Sequence, residues 1–431
     1  MSMDVKVSLE NQQIIFDFLL DDEDGVFNER IKMDNTSLFI QAEEFVSIKD
    51  IHPDHLALGI LLISNPFVKK ELNIPFPVSQ GFRDACKIIT KYRVNFPSNT
   101  IDKYAPGHNS RPGLSFSGGA DSTAALLLMP ENTLSVFMDR PLRSKASLYN
   151  KSAAYATINH AREIGHDVRK ISCNLEYIRS PIGFPTDLAP ALPLILMSAK
   201  NNVDSIAFGT VLESAYRVGH EHCRNYETSG HYRVWGGLFD AANIPLYLPV
   251  AGISEVGTSK IVLDTSFRDY TRSCIRGVFP LSCDNCWKCF RKNLVEKRLI
   301  NQNIPNSEME RWLNVREVKG KLQAWPISHE NVLSWSLQGA NTSGPSRDLL
   351  FNRTEGKIRN MDFLCRWYPQ SIDLVPHPYK DITRNLISNY LDPMKEQEIE
   401  QIVSHIMTEW LTSTSAKEAK NIFDSWSNIQ N

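Results

Sequence analysis

Ser117-Gly118-Gly119-Ala120-Asp121-Ser122 lies between an apolar run, Leu114-Ser115-Phe116, and a helix-forming run, Thr123-Ala124-Ala125-Leu126-Leu127-Leu128. A strand that enters a glycine turn and leaves as a helix aims several backbone N–H groups and a helix N-terminus at one point, which suits an anion. Gly118 and Gly119 let the backbone approach a phosphate with no Cβ in the way. Ala120 adds an amide, Ser117 and Ser122 add hydroxyls, and Asp121 offers a carboxylate for Mg²⁺. A phosphate is the group expected on these six residues, and an ordinary Gly-Gly turn capping a helix is the plain alternative. The Gly-Lys-[Ser/Thr] ending of a Walker loop is missing, so transfer of the γ-phosphate is not implied.

Cys274, Cys283, Cys286 and Cys289 form a second set, spaced C-x8-C-x2-C-x2-C. Four thiolates on two tight turns satisfy tetrahedral Zn²⁺ and leave no open position, which makes such a site structural. An iron–sulfur cluster is the rival, since C-x2-C-x2-C also begins a ferredoxin signature. That signature continues to a fourth Cys followed by Pro, whereas here Phe290-Arg291-Lys292-Asn293 follow and the fourth Cys lies upstream. Unliganded thiols are the third reading. Cys86, Cys173 and Cys365 read as ordinary thiols. A third concentration of polar groups, Arg217, His220, Glu221, His222 and Arg224, follows Gly209 and could pair with a carboxylate or a guanine-like edge. A solvated loop is the plain alternative.

These residues need a scaffold. Short apolar runs at Leu114–Phe116, Leu134–Met138, Val168–Ser172, Ser205–Gly209 and Pro245–Leu248 read as strands. Helical stretches near 120–129, 147–164, 188–201 and 211–217 separate them. Alternation of this kind predicts an α/β fold, a parallel sheet with helices on both faces, with ligands at the carboxyl ends of its strands. Residues 1–110 read as a separate small α+β unit. It has alternation over Val5–Leu9, a turn at Asn11-Gln12-Gln13, a second apolar run over Ile14–Leu20 in a small antiparallel layer, a solvated loop at Asp21–Gly25, and a helix near Asp54–Ser64. Residues 301–431 hold six of the eight tryptophans, expected as core, and show helical spacing from Lys395 to Leu411; a mostly helical domain is expected there. The chain has 431 residues with 47 basic and 49 acidic side chains, so it carries no electrostatic footprint for nucleic acid. The most apolar stretch, Leu188–Ala199, is interrupted by Pro190 and Pro193. The start of the chain lacks a basic segment followed by an apolar one. No membrane span and no signal peptide are expected, and a cytoplasmic location follows.

The Ser117–Ser122 pattern resembles the PP-loop of the N-type ATP pyrophosphatases, with their adenine nucleotide α-hydrolase-like sheet. Taken with the cysteines that follow, residues 111–295 resemble the 7-cyano-7-deazaguanine synthase (QueC-like) family, whose PP-loop precedes four zinc cysteines at the same spacing. Thr271-Arg272-Ser273-Cys274-Ile275-Arg276-Gly277 echoes that family's Ser-Cys-x-x-Gly. Gly219, Cys223 and Arg224 match its Gly-Tyr-Pro-Asp-Cys-Arg segment, and Ser259-Lys260-Ile261-Val262 resembles its Ser-Lys helix start. His222 stands where the family has an acidic residue, and Met138-Asp139-Arg140-Pro141 replaces its Asp-Tyr-Gly-Gln. Neither 1–110 nor 301–431 belongs to the housekeeping synthase. Chains with added domains of this kind are similar to homologues encoded in anti-phage systems such as Qat.

The resemblance implies a PP-loop domain over 111–300 and a ligase that adenylates a 7-carboxy-7-deazaguanine-like acid with ATP and Mg²⁺, and holds Zn²⁺ on its cysteines. Asp121 and Lys260 would be catalytic, though Lys260 read without the resemblance is an exposed helix residue. Gly209, Arg217, His220, His222 and Arg224 would bind the acid. The altered pocket and added domains point to an amine on a protein partner as acceptor; the alternative is ammonia, with the extra domains only regulating or localising an enzyme that still makes the nitrile. A tRNA-modifying thiolase or lysidine-type ligase, with Cys223 as a sulfur carrier in the thiolase case, and a non-catalytic scaffold are the other readings.

Overall fold

The computed structural model describes residues 2–41, 43–142 and 149–429. Alternating apolar residues open the chain as a hairpin. Strands β1 (Met3–Glu10) and β2 (Gln13–Leu19) pair antiparallel as far as Glu10↔Gln13. Asn11 and Gln12 make the turn at φ 50° and 60°, the paired positive φ of a type I′ hairpin. Strands β3 (Val26–Asn28) and β4 (Ile31–Met33) form a small ribbon, and β5 (Ser37–Gln41) adds antiparallel to β2. The layer is not antiparallel throughout, as the alternation suggested. The helix Pro53–Ser64 carries the chain back across the sheet, so β6 (Glu71–Asn73) and β7 (Arg93–Asn95) join in parallel, in the order β5-β2-β1-β6-β7. Within the expected solvated loop, Asp24 is buried and accepts the Lys69 N–H at 2.9 Å.

The second sheet takes β8 (Arg111–Ser115), β9 (Leu134–Asp139) and β10 (Asp167–Ser172); β11 (Arg179–Ser180) pairs instead with β4; β12 (Val203–Ala207) and β13 (Leu246–Tyr247) complete it. Its order is β10-β9-β8-β12-β13 and every pairing is parallel. β8 begins three residues before its apolar run because Gly113 pairs with Ile206, where a Cβ would lie 2.8 Å from Leu194 Cδ1. The sequence order reverses direction between β8 and β12, the switch point at which α/β sheets bind ligands.

Both faces are covered. Leu134, Val136, Ile206 and Leu246 join a core shared with the N-terminal sheet and the helices Pro53–Ser64 and Leu192–Met197. Leu114, Phe137, Ala207 and Tyr247 face a second core with residues of the helices Ala120–Leu127, Ser152–Glu163 and Glu255–Leu263. The helix expected over 188–201 is split into a 3-10 turn and Leu192–Met197, since Pro193 lacks an N–H and begins a helix more readily than it continues one. The helix expected from 147 starts at Ser152; positions 147 and 148 lie outside the described residues.

After β13 the regular elements among the described residues are all α-helices and 3-10 helices. Trp312, Trp335, Trp367 and Trp410 are buried there, while Trp325 and Trp426 are half-buried. The helix expected over Lys395–Leu411 breaks into Glu396–Ser404 and Thr408–Thr412. Tertiary bonds override its apolar spacing. His405 Nε2 meets both Glu355 oxygens at 2.8 and 2.9 Å, Ile406 bridges His222, and the Met407 N–H donates to the Glu221 carbonyl at 3.0 Å. Among the described residues no helix is long and apolar enough to cross a membrane.

Leu196 is buried in the core that both sheets share. Leu196→Ala is expected to lower stability by ~2–5 kcal/mol, read by urea denaturation with tryptophan fluorescence and circular dichroism moving together. A loss below ~1 kcal/mol would show that the site is not close-packed.

Candidate functional site

At the end of β8 the Phe116 N–H still bonds the Val136 carbonyl at 2.9 Å, and the chain then turns. Gly118 has φ 72°, and a Cβ there would sit 3.2 Å from Ala154 Cα on the helix Ser152–Glu163. Conformation and space therefore both demand glycine. Gly119 heads the helix Ala120–Leu127 with no side-chain cap. The Gly119 and Ala120 N–H groups have only long contacts, to Ser117 Oγ and Ser273 Oγ at 3.4 Å each. First-turn amides this weakly engaged can take an anion. Ser122 is committed to the turn itself: its Oγ accepts the Ser117 N–H at 3.2 Å, donates to the Gly119 carbonyl at 3.1 Å and lies 2.9 Å from Ser117 Oγ. Gly209, just beyond β12, forms the opposite wall, where a Cβ would lie 2.8 Å from the Ser122 nitrogen.

Asp121 meets a buried charge cluster that sequence reasoning missed. Thr258 Oγ1 donates to Asp121 Oδ1 at 2.7 Å, and Lys292 Nζ lies 3.7 Å from the same oxygen. Lys292 also donates to Ser259 Oγ at 3.1 Å and stands 3.4 Å from Glu255 Oε1, while Arg291 Nη1 holds Glu255 Oε2 at 2.7 Å. Burial works against the Lys292 charge, but Glu255 and Asp121 outweigh it and raise the pKa above that of an ordinary lysine. Burial likewise opposes ionisation of Glu255, and Lys292 and Arg291 reverse that balance and hold it well below the usual carboxylate range. Glu213 has no such cation. Burial, then the neighbouring Glu255 charge, push it up to about 7, with Asn331 Nδ2 and the Glu255 N–H as its donors at 3.0 and 3.1 Å. Desolvation, then the nearby Arg291 cation, push the half-buried His329 down to about 4. Nothing in the sequence singles out Lys292 beyond its place one helical turn after Cys289.

Lys260 sits elsewhere. Successive helix residues are about 100° apart, so with Thr258 turned toward Asp121, Lys260 points away. Its Nζ bonds Asp264 Oδ2 at 2.7 Å and the Tyr390 carbonyl at 3.0 Å. In the 209–224 segment, Arg217 and Arg224 lie near His220, and burial, then these two cations, lower its pKa. Arg224 ties its own loop, donating to the Ala215 and Ser214 carbonyls at 2.7 and 2.9 Å. Gly219 has φ 82°, and a Cβ there would collide with the Asn331 amide. His222 is exposed and joins the fold through the Ile406 bridge. Burial pushes the Cys223 thiol up to about 11, the reverse of what an activated thiolate needs.

All eight cysteines are free thiols. Those of Cys274, Cys283, Cys286 and Cys289 lie within 4.8 Å of one another and can hold a metal ion. A tetrahedral ion with bonds of ~2.3 Å to sulfur has S···S edges of about 3.8 Å; Cys283 Sγ and Cys289 Sγ are 3.7 Å apart. The Arg276, Gly277 and Cys283 N–H groups point at Cys274 Sγ, and the Cys289 N–H at Cys286 Sγ, at 3.3–3.4 Å, the outer support that thiolate ligands need. Cys286 caps the helix Trp287–Leu299, which carries Arg291 and Lys292. Two bonds stitch the cysteine loop to the region of Gly118: Asn150 N–H to the Ile275 carbonyl at 2.7 Å and Phe279 N–H to Ser152 Oγ at 2.8 Å.

Residues 234–405 match a family of unknown function, DUF6395. That span includes the four cysteines, Glu255, Thr258 and Lys292, and leaves out the glycine turn. No curated protein and no solved structure matches the chain.

Cys286→Ser is expected to yield metal-free, aggregating protein, because binding of a four-thiolate metal is coupled to folding; elemental analysis and circular dichroism check this. Glu213 ionises near 4.5 when unfolded and near 7 when folded, so its contribution is intact below the lower value and is lost as pH rises through the higher. Glu213→Gln should therefore gain stability relative to the parent as pH rises from 4.5 to 7, by on the order of 3 kcal/mol. Denaturant midpoints across that range test it, and a difference independent of pH would contradict it.

Proposed function

We propose that this chain is an ATP-dependent, AMP- and pyrophosphate-forming ligase of the PP-loop type, similar to 7-cyano-7-deazaguanine synthase. The observation that carries the reading is the glycine turn at the switch point, walled by Gly209, with Asp121 between Thr258 and Lys292. A carboxylate is a poor acyl donor because oxide is a poor leaving group. Attack of its oxygen on the α-phosphorus of ATP expels pyrophosphate, and the acyl-adenylate then loses AMP as an amine forms the new C–N bond and gives up a proton. The departing pyrophosphate needs a cradle, and the amides of Gly118–Asp121 are its candidates.

A rate gain of even 10⁶ requires ~8 kcal/mol, and a helix terminus supplies at most ~2 kcal/mol. Cationic charge must contribute the rest. Mg²⁺ arriving with ATP would neutralise phosphate charge near Asp121, and the Lys292 ammonium offsets the Asp121 carboxylate. The four cysteines would hold Zn²⁺ as a closed structural site. The acid is a 7-carboxy-7-deazaguanine-like compound, taken by the segment Gly209–Arg224 beside Arg217 and His220. His220-Glu221-His222 differ from the synthase pattern, and residues 1–110 and 301–431 add surface, which supports an amine on a protein partner as acceptor, in cytoplasmic anti-phage defence.

ATP should be cleaved to AMP and pyrophosphate, and Asp121→Ala should abolish turnover while keeping the fold. A Cβ at Gly119 meets only Ser117 Oγ, at 3.6 Å, so Gly119→Val should fold normally and lose ATP binding. ADP and phosphate as the only products would overturn the adenylation reading. A covalent mass gain on a co-purified partner supports the protein acceptor; free nitrile made at ~1–10³ s⁻¹ from the acid, ammonia and ATP with no protein partner would refute it.

A further inference from the structure

Lys292 is more than a second cation near the turn. It is buried, and the partners that hold its ammonium come from two other parts of the site: Asp121 from the glycine turn, Ser259 and Glu255 from the helix Glu255–Leu263. Its own helix begins at Cys286, and Cys289 lies three residues before it, on the same side of that helix. Arg291 anchors the next position to Glu255 at 2.7 Å. A second contact closes the circuit: the Ala120 N–H reaches the Oγ of Ser273, the residue before Cys274.

We infer that Lys292 is the positioning residue of the glycine turn, a buried ammonium that fixes the Asp121 carboxylate, offsets its charge toward an incoming phosphate and couples the four-thiol metal site to nucleotide binding. The inference rests on the ligase reading for the identity of the nucleotide. A carboxylate alone beside an anion cradle repels phosphate. One held at 2.7 Å by Thr258 and at 3.7 Å by Lys292 is both oriented and largely compensated. The same helix that the thiol cluster starts delivers the ammonium, so a nucleotide that draws on Asp121 and Lys292 stiffens the metal loop, and the metal in turn holds the ammonium in place. Such coupling is reciprocal by linkage.

The test uses the full chain in its metal-loaded form and α,β-methylene-ATP with Mg²⁺, which cannot be cleaved between the α and β phosphates and so reads binding without turnover. Its Kd and the rate of metal release to a chromogenic chelator, with and without the nucleotide, are measured for the parent, Lys292→Met and Lys292→Arg. In the parent, nucleotide should slow metal release several-fold. Lys292→Met should keep one metal ion per chain and the parent circular dichroism, bind the nucleotide at least tenfold more weakly and lose the slowing; Lys292→Arg should recover part of both. Should Lys292→Met fail to fold, Ser259→Ala decides the matter. It removes one anchor of Nζ and no charge, and should weaken nucleotide binding and shrink the slowing, each at least threefold. An unchanged Kd and unchanged slowing in the folded variant, where the parent binds, overturn the role of Lys292 and leave the ligase reading standing. A parent that does not bind the nucleotide overturns both.

Discussion

The buried ion cluster of Glu255, Arg291 and Lys292 is the constraint around which the centre of this protein is arranged. Ions out of water cost several kcal/mol each unless partners are placed with care, and here the partners come from three distant stretches of chain. Glu255 stands in the first turn of one helix, capped by Ser254. Arg291 and Lys292 stand on another, capped by Cys286. Asp121 comes from the turn after β8. None of these pieces can shift without exposing or orphaning a charge, so the cluster sets the distance between the thiol loop and the glycine turn more firmly than apolar contact would.

The outer parts of the chain support that centre from both sides. The N-terminal sheet and the helix Pro53–Ser64 share a core with one face of the parallel sheet. Residues from the C-terminal region, Trp367, Ile387 and Leu391 among them, join the core on the other. The C-terminal region also reaches the site itself: Asn331 bonds Glu213 and lies under Gly219, and Glu317 accepts the Trp287 N–H at 3.1 Å at the base of the thiol loop.

What could be read from the sequence was local. The strand–glycine turn–helix and the four cysteines each lie within a short stretch, where spacing alone carries the signal, and the period-2 runs at Val5–Leu9 and Ile14–Leu20 announced their hairpin. Pairings between remote stretches were not legible. Glu213, Glu255 and Lys292 look like surface charges in a linear text, and only burial gives them meaning. Lys260 was attractive for its sequence neighbours, yet two positions along a helix from Thr258 it faces another way. The apolar spacing of Lys395–Leu411 was real, but it could not announce that Ile406 would leave the helix to pair with His222.

That pairing has a consequence for how the protein may be divided. Glu221 and His222, in the polar segment after β12, are held by Met407 and Ile406, close to the far end of the chain. The last helices are thus not an appendage to the parallel-sheet body but the clamp on the segment that follows its switch point. A shortened form ending at the boundary suggested by the thiol loop would keep the glycine turn and the four thiols, and would leave Glu221 and His222 without the backbone partners that hold them.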